Sequence, residues 1–209
     1  MGDPMNVPQD VSPIRDVAVR NSAAMLGMWI FLISLGMVFL TTVIAYLIIR
    51  GQLISSGEWA LDDPPGLPGL LYVSTIILII ASVVMHAATT SAGPSSGAPA
   101  VGRWMCCACV LVFCFLITQT LAWIDLAANE NLAFDSSLYA WLFYVLTGLH
   151  VAHVLAGLPP LLVTTRNALR GRYQSVREGV SGLTFCVMYW HFLDGVWVIL
   201  FIVLLFGMR

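Results

Sequence analysis

Long stretches without charge alternate with short polar ones along this chain. No charged residue lies between Arg20 and Arg50, between Asp63 and Arg103, between Arg103 and Asp125, or between Asp135 and Arg166. Between Glu178 and Arg209 the one charged side chain is Asp194. A helix needs about 20 mostly apolar residues to cross the hydrocarbon core of a bilayer. The pattern therefore predicts five spans, over residues 25–49, 67–88, 104–127, 138–165 and 180–206. The stretch from Asp63 to Arg103 is too long for one span. Its second part, 89–102, contains Ser-Ala-Gly-Pro-Ser-Ser-Gly-Ala-Pro and reads as a loop. A membrane β-barrel would instead alternate in segments of about 10 residues. The expected fold is an all-α membrane protein, a five-transmembrane-helix bundle occupying residues 23–209. Residues 1–22 are polar and proline-bearing. They lack the basic start and small-residue cleavage site of a signal peptide, so an aqueous N-terminal arm is expected.

Composition agrees with this pattern. Hydrophobic residues make up 59% and charged residues 10% of the 209, and mean hydropathy is +0.90. A soluble domain carries about 25% charge. The net charge of −2 offers no electrostatic footprint for a nucleic acid. All nine basic residues are Arg, which excludes a lysine Schiff base. Their distribution predicts orientation, because positive loops stay in the cytoplasm. Arg15, Arg20, Arg103, Arg166, Arg170, Arg172 and Arg177 fall on one side of a five-span chain, and Arg50 and Arg209 on the other. The N-terminus is expected in the cytoplasm and the C-terminus outside, on the periplasmic face.

Polar groups at membrane depth are the candidates for function, since each is costly there. The fourth span holds His150 and His153, and the fifth holds His191 and Asp194, both pairs three residues apart and so on one helix face. His150 lies roughly 18 Å from the outer end, and His191 roughly 16 Å from the inner end, at 1.5 Å per residue. These four side chains are expected to form a polar network, with His191, His150 or His153 as partners for the buried carboxylate. Two chemistries fit them: a proton relay or cofactor site, and interhelical hydrogen bonding that fixes packing. A haem needs axial ligands on its two faces, which two histidines one turn apart on one helix cannot supply. A copper or zinc site needs three or four converging ligands from a chain with four His. His86, near the cytoplasmic end of the second span, is expected at the interface and far in depth from the rest.

The remaining signals point to packing. Cys106, Cys107 and Cys109 open the third span. Without nearby His or acidic residues they read as small hydrophobes, and their C-x-x-C spacing leaves a metal or redox role open. Gly148 and Gly157 flank the histidines of the fourth span and suit close helix approach. Pro159 and Pro160 are expected to kink that helix. Trp190 and Trp197 are expected to contact lipid or a neighbouring helix. No phosphate loop, dinucleotide fingerprint or H-E-x-x-H is present. An inverted repeat and a charged pore ring are also missing, which weakens transporter and channel readings.

The segment Tyr189-Trp190-His191-Phe192-Leu193-Asp194-Gly195-Val196-Trp197 resembles the last-helix signature of subunit III of the haem–copper oxidases. The segment from Thr147 to Gly157, with His150 and His153, resembles the penultimate helix of that family. Met28-Trp29-Ile30-Phe31-Leu32-Ile33-Ser34 resembles the first helix of its short, five-helix bacterial form, and Gln119 to Asp125 is a weaker match to the middle helix. The resemblance implies an accessory subunit in the bacterial inner membrane. Such a subunit carries no haem, copper or other metal and no catalytic residue. It packs on subunit I, with subunit II in the same complex, and binds phospholipids; haem and copper reside in the partner subunits. The chain departs from the family at Leu35 and Ala122, where acidic residues are usual, and at Gly195, where a bulky residue is common. A proton-collecting role for a first-helix carboxylate therefore does not carry over. Gly195 is expected to mark a close helix or lipid contact. Three rivals remain: an accessory subunit of nitric oxide reductase, a small b-type cytochrome using His150 or His153 with His191, and a small transporter with a His191–Asp194 proton site.

Overall fold

The computed structural model describes residues 13–57, 69–92, 99–129, 138–173 and 182–207. They form five helices: α1 (Pro13–Ser56), α2 (Gly69–Thr90), α3 (Pro99–Asn129), α4 (Leu138–Leu169) and α5 (Gly182–Gly207). All five are long and apolar enough to cross a membrane. The helices are those expected, but several are longer. α1 reaches back to Pro13, so part of the 1–22 arm is helical; residues 1–12 lie outside the described residues. α3 begins at Pro99, inside the stretch assigned to a loop. α4 runs through Pro159 and Pro160 to Leu169 as one helix.

The ends of α1 and α4 are closed by glycines with positive φ. Gly57 (φ 77°) returns its N–H to the Ile54 carbonyl. After α4, Gly171 (φ 70°) bonds Ala168 O at 3.0 Å, and Arg172 N bonds Asn167 O at 3.1 Å. A residue with a Cβ would be strained in this left-handed turn.

Helices α2, α3, α4 and α5 pack in a closed ring in chain order, α5 returning to α2, and α1 lies outside the ring against α5 and α4. The membrane-length window of α1 is 22% buried, against 39% in each of the others, which makes α1 the peripheral helix. Inside a bilayer, association rests on close packing and a few interhelical hydrogen bonds. Each seam of the ring has both. Leu78, Met85 and Ala88 of α2 are buried with Met105, Ala108 and Val112 of α3 in one core. On that seam Ser74 Oγ donates to Gln119 Oε1 at 3.2 Å. Between α3 and α4, Cys109 Sγ and Thr165 Oγ1 lie 3.2 Å apart. A Cβ at Gly102 would come 3.0 Å from Leu169, so glycine permits that approach. Between α4 and α5, Tyr189 Oη donates to the His153 carbonyl at 2.8 Å. Between α5 and α2, Trp197 Nε1 donates to Thr75 Oγ1 at 3.1 Å. The outer helix is tied to the ring at one end, where Arg50 donates to the Phe206 carbonyl at 3.3 Å and Tyr46 packs on Gly207.

Candidate functional site

The four polar residues singled out in the sequence divide between two places. His150 is fully buried in the ring, enclosed by aromatic side chains. Its ring lies 5.0 Å from Trp197 at an interplanar angle of 33°, 6.5 Å from Phe115 and 6.1 Å from Phe39. Neither of its nitrogens has a hydrogen-bond partner among the described residues. His153, one turn further along α4, turns toward α1: its ring is 5.0 Å from Phe39, and its Nδ1 lies 2.7 Å from the Leu149 carbonyl. Phe39 thus touches both histidines and seats α1 on α4.

The second place is the α5–α2 seam. His191 Nδ1 lies 2.6 Å from Ser82 Oγ and 3.9 Å from Asp194 Oδ2. Asp194 is buried. Neither of its oxygens has a hydrogen bond of full geometry among the described residues, although the Ser82 hydroxyl is close enough to act on it. His191 keeps 37% of its side chain exposed.

His86 departs from its expected position. Its ring centroid lies 6.2 Å from that of His191, so it belongs with this group rather than apart from it. α2 continues to Thr90 and α5 starts at Gly182, which moves His86 deeper and His191 shallower than the predicted span ends. Together these shifts amount to about four residues, or roughly 6 Å at the helical rise.

The tryptophans and glycines are also placed. Trp190 and Trp197 are 1% and 0% exposed, so both face neighbouring helices. Gly157 is where α4 and α5 meet: a Cβ there would lie 2.7 Å from the Tyr189 ring and 3.3 Å from Trp190. Gly148 is looser, with the Trp123 ring 4.0 Å away. Gly195 is exposed, and among the described residues nothing lies within 4 Å of a Cβ placed there. Cys109 and Cys186 are buried, Cys106 and Cys114 are partly buried and Cys107 is exposed; all five are free thiols.

Ser74, Thr75, Ser82, Gln119, Thr165 and Tyr189 supply the hydrogen bonds between helices, and a survey of charged and imidazole side chains passes over them. One signal was available. Ser82 and His86 are spaced i, i+4 and so share a face of α2.

Two clefts flank α1. The larger, about 660 Å³, lies between α1 and α5 and is bounded by Trp29 and Gly36 on one side and Met188, His191 and Phe192 on the other. The smaller, about 320 Å³, is lined by Met28 and Phe31 of α1, Ala156 and Pro160 of α4, and Tyr189 of α5.

The fold and these polar seams define a multi-pass membrane protein with a hydrogen-bonded contact on each seam of its helix ring. The comparisons make the class specific. The family model for "Cytochrome c oxidase subunit III" matches residues 14–208. Curated relatives named cytochrome c oxidase subunit 3 cover most of the chain. One from Synechocystis is 34% identical over 85% of this chain and 73% of its own length. Another, from Thermostichus vulcanus, is 31% identical over 86% and 85%. A third, from Corynebacterium diphtheriae, is 30% identical over 97% and 95%. The chain belongs to the cytochrome c oxidase subunit III family.

Proposed function

We propose that this chain is an accessory, non-catalytic subunit of a haem–copper terminal oxidase in a bacterial inner membrane. It packs on subunit I, in a complex with subunit II, and holds phospholipid against that flank. The haem and copper belong to the partner subunits. The carrying observation is the family match, which runs over residues 14–208 and so takes in all five helices. The arrangement of the bundle supports it. Several polar side chains at membrane depth are engaged in helix-to-helix bonds, and the apolar clefts beside α1 are open to an acyl chain. The arginine asymmetry supports an N-terminus on the cytoplasmic side.

The test is purification in mild detergent through a tag on this chain, with mass spectrometry of the co-purifying proteins and an optical spectrum. The expected result is a haem–copper subunit I in the eluate, with haem absorbance that departs when the subunits are dissociated. A chain that elutes alone and keeps haem would overturn the proposal.

A further inference from the structure

The cleft between α1 and α5 has one polar feature. Met25, Trp29, Leu32 and Gly36 of α1 and Met188 and Phe192 of α5 make an apolar trough, and His191 opens into it. Its 660 Å³ lies within the range of small-molecule sites, which are mostly apolar with a few placed polar groups. The imidazole is held in place from behind by Ser82 at 2.6 Å on Nδ1, with Asp194 at 3.9 Å. Nε2 has no hydrogen-bond partner among the described residues. A polar atom facing hydrocarbon is costly unless something pairs with it.

Depth excludes a phospholipid headgroup as that partner. Gly36 packs on Phe192, so His191 stands at about the level of Leu35 on α1. The nearest cations on the same helix, Arg20 below and Arg50 above, are each fifteen residues from that level, roughly 22 Å at the helical rise. A lipid anchored by its phosphate near either arginine would bring only acyl carbon to His191. The partner must instead carry a neutral oxygen at membrane depth on an apolar body. Trp29 and Phe192 offer aromatic walls to a flat ring, and the two methionines adapt to a chain. Either tautomer of His191 leaves Nε2 with a use. It donates to a carbonyl when Ser82 donates to Nδ1, and accepts from a hydroxyl when Nδ1 carries the proton. A quinone presents the first group when oxidised and the second when reduced.

We propose that the α1–α5 cleft binds a membrane quinone, its ring beside Trp29 and Phe192 and one ring oxygen hydrogen-bonded to His191 Nε2. Binding alone is inferred, and no electron passes through this chain. The site rests on the bilayer setting of the bundle and not on which complex the chain serves.

The test titrates the purified, delipidated complex containing this chain with decylubiquinone and counts the equivalents bound. His191→Leu is expected to weaken one equivalent at least about tenfold, the loss of one well-placed hydrogen bond. His191→Gln, which keeps a donor and an acceptor, retains most of it. Gly36→Leu, whose Cβ would stand in ordinary contact with Phe192, projects its side chain into the trough and is expected to abolish that equivalent, with helical circular dichroism confirming the fold. Equal binding by the wild type, His191→Leu and Gly36→Leu overturns the proposal. So does displacement of the bound equivalent by phosphatidylglycerol as readily as by excess quinone, which would make the cleft an acyl-chain groove.

Discussion

Trp197→Ala is expected to be the most damaging single substitution in the bundle. The indole is fully buried where α5, α2, α3 and α4 converge. It lies 5.0 Å from the His150 ring and 5.6 Å from Phe115, and it donates to Thr75. Truncating a buried tryptophan to alanine costs about 3–5 kcal/mol, mostly through the cavity left behind. The lost hydrogen bond also leaves the Thr75 hydroxyl without its partner from α5. Thermal melting of the detergent-solubilised protein, followed by helical circular dichroism, should show a large fall in midpoint. Ile199→Ala, two residues away on the exposed face, should leave it nearly unchanged. Equal midpoints for the two variants would mean that the aromatic centre does not hold the ring together.

The second large effect is expected at Gly157. A Cβ there meets the Tyr189 ring at 2.7 Å and Trp190 at 3.3 Å, and both rings lie within the packed α4–α5 seam. Overpacking of this kind costs about 1–3 kcal/mol. Moving Tyr189 would also break its bond to the His153 carbonyl, for a further loss of about 1 kcal/mol. Gly157→Leu should therefore destabilise the bundle strongly, and Gly157→Ala measurably. Gly195→Ala should be neutral or slightly stabilising in isolation, because that position is open and alanine favours helix over glycine. The same melting experiment separates the sites. If Gly195 proves as sensitive as Gly157 only in the assembled complex, a contact outside this chain covers it.

The five helices were legible because charge is excluded from the hydrocarbon core, so Arg20, Arg50, Arg103 and Arg166 mark span ends clearly. Helix ends were less legible, because a helix does not stop where the hydrocarbon does. α1 carries Arg15, Asp16, Arg20 and Arg50 within one continuous helix. The grouping of polar residues was harder still. Counting along one helix gives depth but not which neighbour a face meets, and these helices are apolar nearly all round. His150 and His191 have similar counted depths, yet one is enclosed by Trp197, Phe115 and Phe39 and the other opens to the α1–α5 cleft. The partner of His191 is a serine on α2, a residue type with no mark in a hydropathy profile. Both last-helix tryptophans are buried within the bundle, and the Trp197 indole finds its acceptor in Thr75 of α2.

The most direct test of an accessory role is oxygen consumption by the oxidase complex with this chain removed and then restored. Subunit I, retaining its haem and copper, should keep most of its initial rate without the chain. It should then lose activity faster over successive turnovers, and adding the purified chain with phospholipid should restore the longer lifetime. If the initial rate instead vanishes while the haem–copper centre stays fully loaded and reducible, the chain takes part in the reaction itself and the non-catalytic account is wrong.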